Sequence, residues 1–104
     1  MNGAAIEDPQ SRSDDVVARR VVAHGQVQGV FFRASTDEIA SEHGVVGWVS
    51  NRPDGAVEAW LEGSRDGVQA VERWIRDGGP RTADVTDVDA EDVEPAGHRR
   101  FEVT

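Results

Sequence analysis

The stretch Gly25-Gln26-Val27-Gln28-Gly29-Val30-Phe31-Phe32-Arg33 has the residue types that hold an anion. Its two glycines allow unusual φ angles and a close approach of backbone to ligand. A tight loop feeding a helix can aim several N–H groups at one point, where the helix also presents its positive end. Arg33 falls in the first turn of that helix and supplies a planar, permanently charged fork suited to phosphate oxygens. The candidate cradle is therefore the backbone amides of Gln26, Val27, Gln28, Gly29 and Val30, with Arg33 as its charged member. On spacing alone the same stretch also reads as an ordinary β-α turn with a surface arginine. Asn51 is the second candidate, because a side-chain amide can accept from a water while donating to an oxyanion. No metal or other cofactor is expected. Cysteine is absent, and His24, His43 and His98 are scattered without ligand spacing, His24 being nearest the loop. The acidic run 84–94 alternates with valine and lacks the order of a calcium loop.

The elements that must position these groups follow from apolar periodicity. A β-branched run over 19–24 predicts a strand. Phe32, Thr36, Ile39, Ala40 and His43 share one face of a helix that Gly44 stops. A second strand over 45–50 carries Trp48, and Asn51-Arg52-Pro53-Asp54-Gly55 has the residues of a hairpin turn. In the third strand Val57, Ala59 and Leu61 alternate with Glu58, Trp60 and Glu62, so one face is buried and the glutamates read as solvated charges. Ser64 is placed to cap a second helix whose apolar face is Val68, Val71, Trp74 and Ile75, ended by Gly78-Gly79-Pro80. Val85, Val88 and Ala90 mark a fourth strand, and Phe101 with Val103 a short last one. The tryptophans read as core or sheet-face residues, with Trp60 a possible contact surface on the open face.

This β-α-β-β-α-β order with an extra strand predicts an α+β, ferredoxin-like two-layer sandwich, with two helices on one face of a mainly antiparallel sheet. In a right-handed β-α-β unit the first two strands are parallel, so the glycine loop and Asn51 emerge at one sheet edge. With the third strand between them, the loop ends lie about 10 Å apart, two strand spacings. Arg33 and Asn51 then reach a small anion and a water held between them.

Composition narrows the partners. The 104 residues suit one domain, and residues 1–17, polar and acidic, are expected to be a solvated tail before a domain at 18–104. A net charge of −9 disfavours nucleic acid and anionic membranes. No apolar run is long enough to span a bilayer and no signal peptide is legible, so a cytoplasmic monomer is expected. All 11 basic residues are arginine. Two readings of that bias stay open, a GC-rich coding sequence and a surface adapted to salt.

Residues 25–33 resemble the acylphosphatase signature G-x-V-Q-G-V-x-F-R. Gly44-Val45-Val46-Gly47-Trp48-Val49-Ser50-Asn51 resembles that family's G-V-x-G-W-V-x-N, and Asp54-Gly55-Ala56-Val57-Glu58 its D-G-x-V-E. The resemblance spans about residues 19–103 and implies a small metal-free hydrolase of acyl phosphates. It implies that the loop 26–30 and Arg33 hold the phosphoryl group while Asn51 orients the attacking water. Inorganic phosphate or sulfate would compete for such a cradle. The alternative is a non-catalytic anion-binding or regulatory module of the same kind.

Overall fold

A computed structural model of the chain describes residues 15–104. The elements are β1 (Val17–Gln26), α1 (Phe32–Glu42), β2 (Val46–Asn51), β3 (Val57–Gly63), α2 (Arg65–Arg76), β4 (Asp84–Val93) and β5 (Phe101–Val103). One mixed sheet runs in the order β4-β1-β3-β2-β5. β3 lies between β1 and β2 and is antiparallel to both, so β1 and β2 are parallel to each other and end at the same edge. β4 is antiparallel to β1, and β5 is parallel to β2. The expected ferredoxin-like order is the observed one.

The core forms where the sheet's inner face meets both helices. Val57, Ala59 and Leu61 are buried as their alternation requires, and they join Val21, Ala23 and Val49 against Phe32, Ala40, Val68, Val71 and Ile75. Across the helix pair, Phe32 and Trp74 meet with ring centroids 5.8 Å apart. The Ser64 side chain accepts the Gly67 N–H at 3.0 Å, the expected N-cap. Thr36, a polar residue on the buried helix face, satisfies its hydroxyl by donating to the Phe32 carbonyl at 2.8 Å.

Val85 and Val88 break strict alternation, and a bulge explains why both face inward. Val85 pairs with Gly25 and Asp87 with His24, which leaves Thr86 as an extra residue on β4. Gly25 sits at this irregularity with φ 119°, where a Cβ would lie 2.2 Å from the Asp84 carbonyl oxygen. Only glycine fits there.

Several expectations need correction. β1 begins at Val17 rather than Arg19, so the segment expected as a tail at 1–17 ends inside a strand; residues 1–14 lie outside the described residues. α1 stops at Glu42, and His43 is an exposed C-cap residue instead of a member of the buried face. Gly44, at φ 66°, turns the chain so that the Val45 N–H returns to the Ala40 carbonyl at 2.8 Å.

The largest departure concerns the open face of the sheet. β4 and β5 occupy opposite edges, so the connecting segment 94–100 must cross the sheet on the side away from the helices. Glu62, expected as a solvated charge, is 2% exposed beneath it. Its carboxylate accepts the main-chain N–H groups of Ala96 (2.9 Å), Gly97 (2.9 Å) and His98 (3.2 Å), and the Trp60 indole N–H at 2.9 Å. Burial alone would raise the Glu62 pKa, but these four donors outweigh it and hold the carboxyl below the ordinary glutamate value. Trp60 stacks on Trp48 and meets the His98 ring edge-on at 5.9 Å, so it serves its own chain's crossing segment. Glu58 on the same face is ion-paired with Arg20, which also binds Glu91. Among the described residues no helix is long and apolar enough to cross a membrane.

Candidate functional site

β1 and β2 deliver the glycine loop and Asn51 to one edge, and a cavity of about 320 Å³ opens there. Its walls are Val27, Gly29, Phe31, Phe32, Arg33, Ala34, Asn51 and Val103. Arg33 and Asn51, placed together by topology alone, thus share one cavity. Of the loop residues, Val27 and Gly29 line it, whereas Gln26, Gln28 and Val30 do not. Gln26 is still a strand residue, paired with Asp84.

The loop is held from below and from the side. Val27 is fully buried and pins the loop to the core. The Gln28 side-chain amide donates to the main-chain oxygens of Arg52 at 2.8 Å and Ala56 at 2.9 Å. Those two residues bracket the turn that follows Asn51, so Gln28 ties the loop to the strand end bearing the candidate amide. The Val30 carbonyl accepts from the Thr82 hydroxyl at 2.6 Å, which fixes the loop's exit. Gly29 reverses the chain at φ 73°. Phe31 follows at φ 64° and leads into α1, its carbonyl taking the Ser35 N–H at 3.0 Å.

The turn after Asn51 is itself well tied. The Arg52 N–H returns to the Ala56 carbonyl at 2.8 Å, and Asp54 accepts the Ala56 N–H at 3.1 Å. That main-chain donor, with the Arg52 guanidinium behind it, lowers the Asp54 pKa. Asn51 pairs with Val57 through its main chain, which leaves its exposed side chain at the cavity wall.

Arg33 is oriented by the residue that follows the edge strand β5. Its Nη1 donates to the Thr104 main-chain oxygen at 2.9 Å, while the Thr104 N–H donates to the Val49 carbonyl at 2.9 Å. Sequence reasoning missed this contact and the Gln28 side-chain role. No local pattern marks either, since the partners lie 71 and 24–28 residues away.

Electrostatically the cavity is the reverse of its surroundings. The chain carries net charge −9, yet among the described residues the only charged side chain on the cavity wall is Arg33. A fixed cation, an amide and glycine-loop backbone suit an anion that must be gripped while a water is oriented beside it. Among the described residues no group of three or more His, Asp or Glu is placed to hold a metal. His24 makes a 3.0 Å contact with Asp89 on β4 and is not on the cavity wall. A larger groove of about 880 Å³ runs along α2 beside the start of β1, but none of the residues singled out for chemistry lines it. Its Arg19 and Arg76 are already paired with Glu72.

The chain is similar to known proteins over nearly all of its described length. The family model described as Acylphosphatase matches residues 19–103. A protein of Nitrosococcus oceani named acylphosphatase is 50% identical over 88 residues, 85% of this chain and 98% of that one. The structure of an acylphosphatase from Coxiella burnetii superimposes with a TM-score of 0.83 at 33% identity, over 93% of this chain and 100% of that one. The crystal structure of the Bacillus subtilis acylphosphatase gives 0.79 at 34% identity, over 85% and 98%.

Proposed function

Because the chain belongs to the acylphosphatase family and hydrolyses acyl phosphates, we propose that Arg33 and the loop amides of residues 26–30 clamp the phosphoryl group while Asn51 places the attacking water. The observation that carries this reading is the single cavity walled by the loop, Arg33 and Asn51.

An acyl phosphate has a carboxylate leaving group, a weak base that departs without a strong general acid. The phosphoryl group passes through a loose transition state with charge on its equatorial oxygens, so electrostatic clamping and water placement supply most of the catalysis. Arg33 meets those oxygens in both ground and transition states. The Asn51 carbonyl accepts from the water and its NH₂ donates to the phosphoryl group. The water oxygen bonds to phosphorus as the phosphorus–oxygen bond to the acyl group breaks. The electron pair of that bond leaves on the carboxylate, and the water's proton goes to a phosphoryl oxygen, because a neutral amide is too weak a base to take it.

Inorganic phosphate and sulfate compete in this reading, as both fit amides plus a guanidinium fork. The catalytic unit starts with β1 at Val17 and acts as a monomer in the cytoplasm; one chain supplies both candidate groups, so this reading needs no partner subunit. A non-catalytic anion-binding module is disfavoured, since the two groups that would have to be lost are both present on the cavity wall. The test is phosphate release from acetyl phosphate and from a phosphate monoester, both in excess chelator. Release from the first alone is expected. Activity that chelator abolishes and a divalent ion restores refutes the mechanism.

A further inference from the structure

Among the described residues three large apolar side chains are left exposed, and two of them, Phe31 at 75% and Val103 at 46%, wall the same cavity as Arg33 and Asn51. They come from different parts of the chain, the glycine loop and β5. Two of the three large exposed apolar side chains among the described residues are thus on the wall of the cavity that holds Arg33.

Phe31 carries a second anomaly. It is the one non-glycine residue with positive φ among the described residues, at φ 64° and ψ 20°. A left-handed backbone is disfavoured for a bulky residue and is met with least strain by glycine or asparagine. The ring does not offset that strain by burial, and the side chain makes no capping hydrogen bond to α1. The backbone at this position has no use for a phenyl group. What the ring does is add exposed apolar surface to the cavity wall that Val103 also lines.

We propose that Phe31 and Val103 form an apolar rim that receives the acyl group of the substrate, and that the enzyme selects acyl phosphates whose acyl group is uncharged and aromatic or aliphatic. The inference rests on the acylphosphatase reading above. With the phosphoryl group held at Arg33, these two side chains are the large exposed apolar surface that the cavity wall offers to the acyl group. An aromatic acyl group stacks against the Phe31 ring and covers the valine methyls, removing both from water. A carboxylate-bearing acyl group gains neither contact, meets no second cation on the wall among the described residues, and enters against a net charge of −9.

The experiment compares kcat/KM for benzoyl phosphate and succinyl phosphate in the wild type and in two variants. Phe31→Asn keeps a residue that tolerates the left-handed backbone and removes the ring; Val103→Thr keeps the shape and adds a hydroxyl. Dividing each variant's benzoyl-to-succinyl ratio by the wild-type ratio cancels the intrinsic reactivity of the two substrates. The ratio is expected to fall about tenfold in Phe31→Asn, the scale of one lost aromatic contact, and about threefold in Val103→Thr. Thermal midpoints confirm that both variants are folded, and the valine variant decides alone if the loop variant is not. Ratios within twofold of wild type in the folded variants overturn the rim. Hydrolysis of neither substrate by the wild type overturns the acylphosphatase reading itself, which is a different outcome.

Discussion

Replacing Glu62 with leucine tests the account of the open sheet face. The carboxylate takes four donors, the main-chain N–H groups of Ala96, Gly97 and His98 and the Trp60 indole. Leucine satisfies none of them. Ala96 and Gly97 are exposed, so water replaces the carboxylate at those two; His98 and Trp60 are half-buried and bear most of the loss. Two poorly satisfied donors at about 1–3 kcal/mol each, set against relief of a desolvated charge and the gain of an apolar side chain, give a net loss of about 3 kcal/mol. For a domain of this size that is a fall of about 15 °C in Tm. Urea unfolding at neutral pH measures the difference directly, and Glu62→Gln, which keeps one carbonyl, is expected to lie between the two. Acid supplies an independent check. The folded Glu62 pKa is below the ordinary value, so its stabilisation is complete above the unfolded pKa, about 4.3, and is lost as pH falls through the folded pKa. The gap between wild type and Glu62→Leu must therefore close in acid. A loss under about 1 kcal/mol at neutral pH, or a gap that persists unchanged in acid, refutes the reasoning.

Arg33 and Asn51 are expected to fail differently. Arg33→Gln weakens inhibition by inorganic phosphate and turnover together, whereas Asn51→Ala lowers kcat about a hundredfold while the phosphate inhibition constant stays within a few-fold; normal turnover by folded Asn51→Ala sinks the water-placing role. Gln28→Leu cuts the tie between loop and turn and is expected to lower kcat/KM about tenfold with a smaller effect on Tm, and equal kcat/KM in the two proteins counts against that tie. If the carboxylate excess is an adaptation to salt, Tm rises from low to molar salt as self-repulsion is screened, and a flat response leaves coding bias as the explanation.

Much of the fold was legible because its signals are local. Alternation at Val57, Ala59 and Leu61, the Ser64 cap and the glycine stops depend on neighbours a few residues away. The two candidate groups were also legible, since the order of strands alone sends Arg33 and Asn51 to one edge. What escaped depends on distant chain. Glu62 sits at an outward position in a strand, and nothing within that strand says that residues 96–98 will bring it three N–H groups. The Gln28 side chain likewise meets its partners only once the hairpin has folded. Phe31 was hidden for another reason: positive φ is read from glycine or asparagine, and a phenylalanine there gives no warning.

The crossing of segment 94–100 over the sheet has a consequence for how the catalyst comes into being. β1, α1 and β2 carry the loop, Arg33 and Asn51, and with β3 paired between the two strands they can assemble without the last segment of the chain. The cavity still lacks its Val103 wall, and Arg33 its oxygen partner, until the segment has laid itself across Glu62 and delivered β5 to the far edge. That closure joins residues far apart in the chain, the kind of step that loop entropy delays. In a refolding experiment, helical signal is expected to return before hydrolysis does. Hydrolysis should return together with the fluorescence change of Trp60, the side chain that the crossing segment covers.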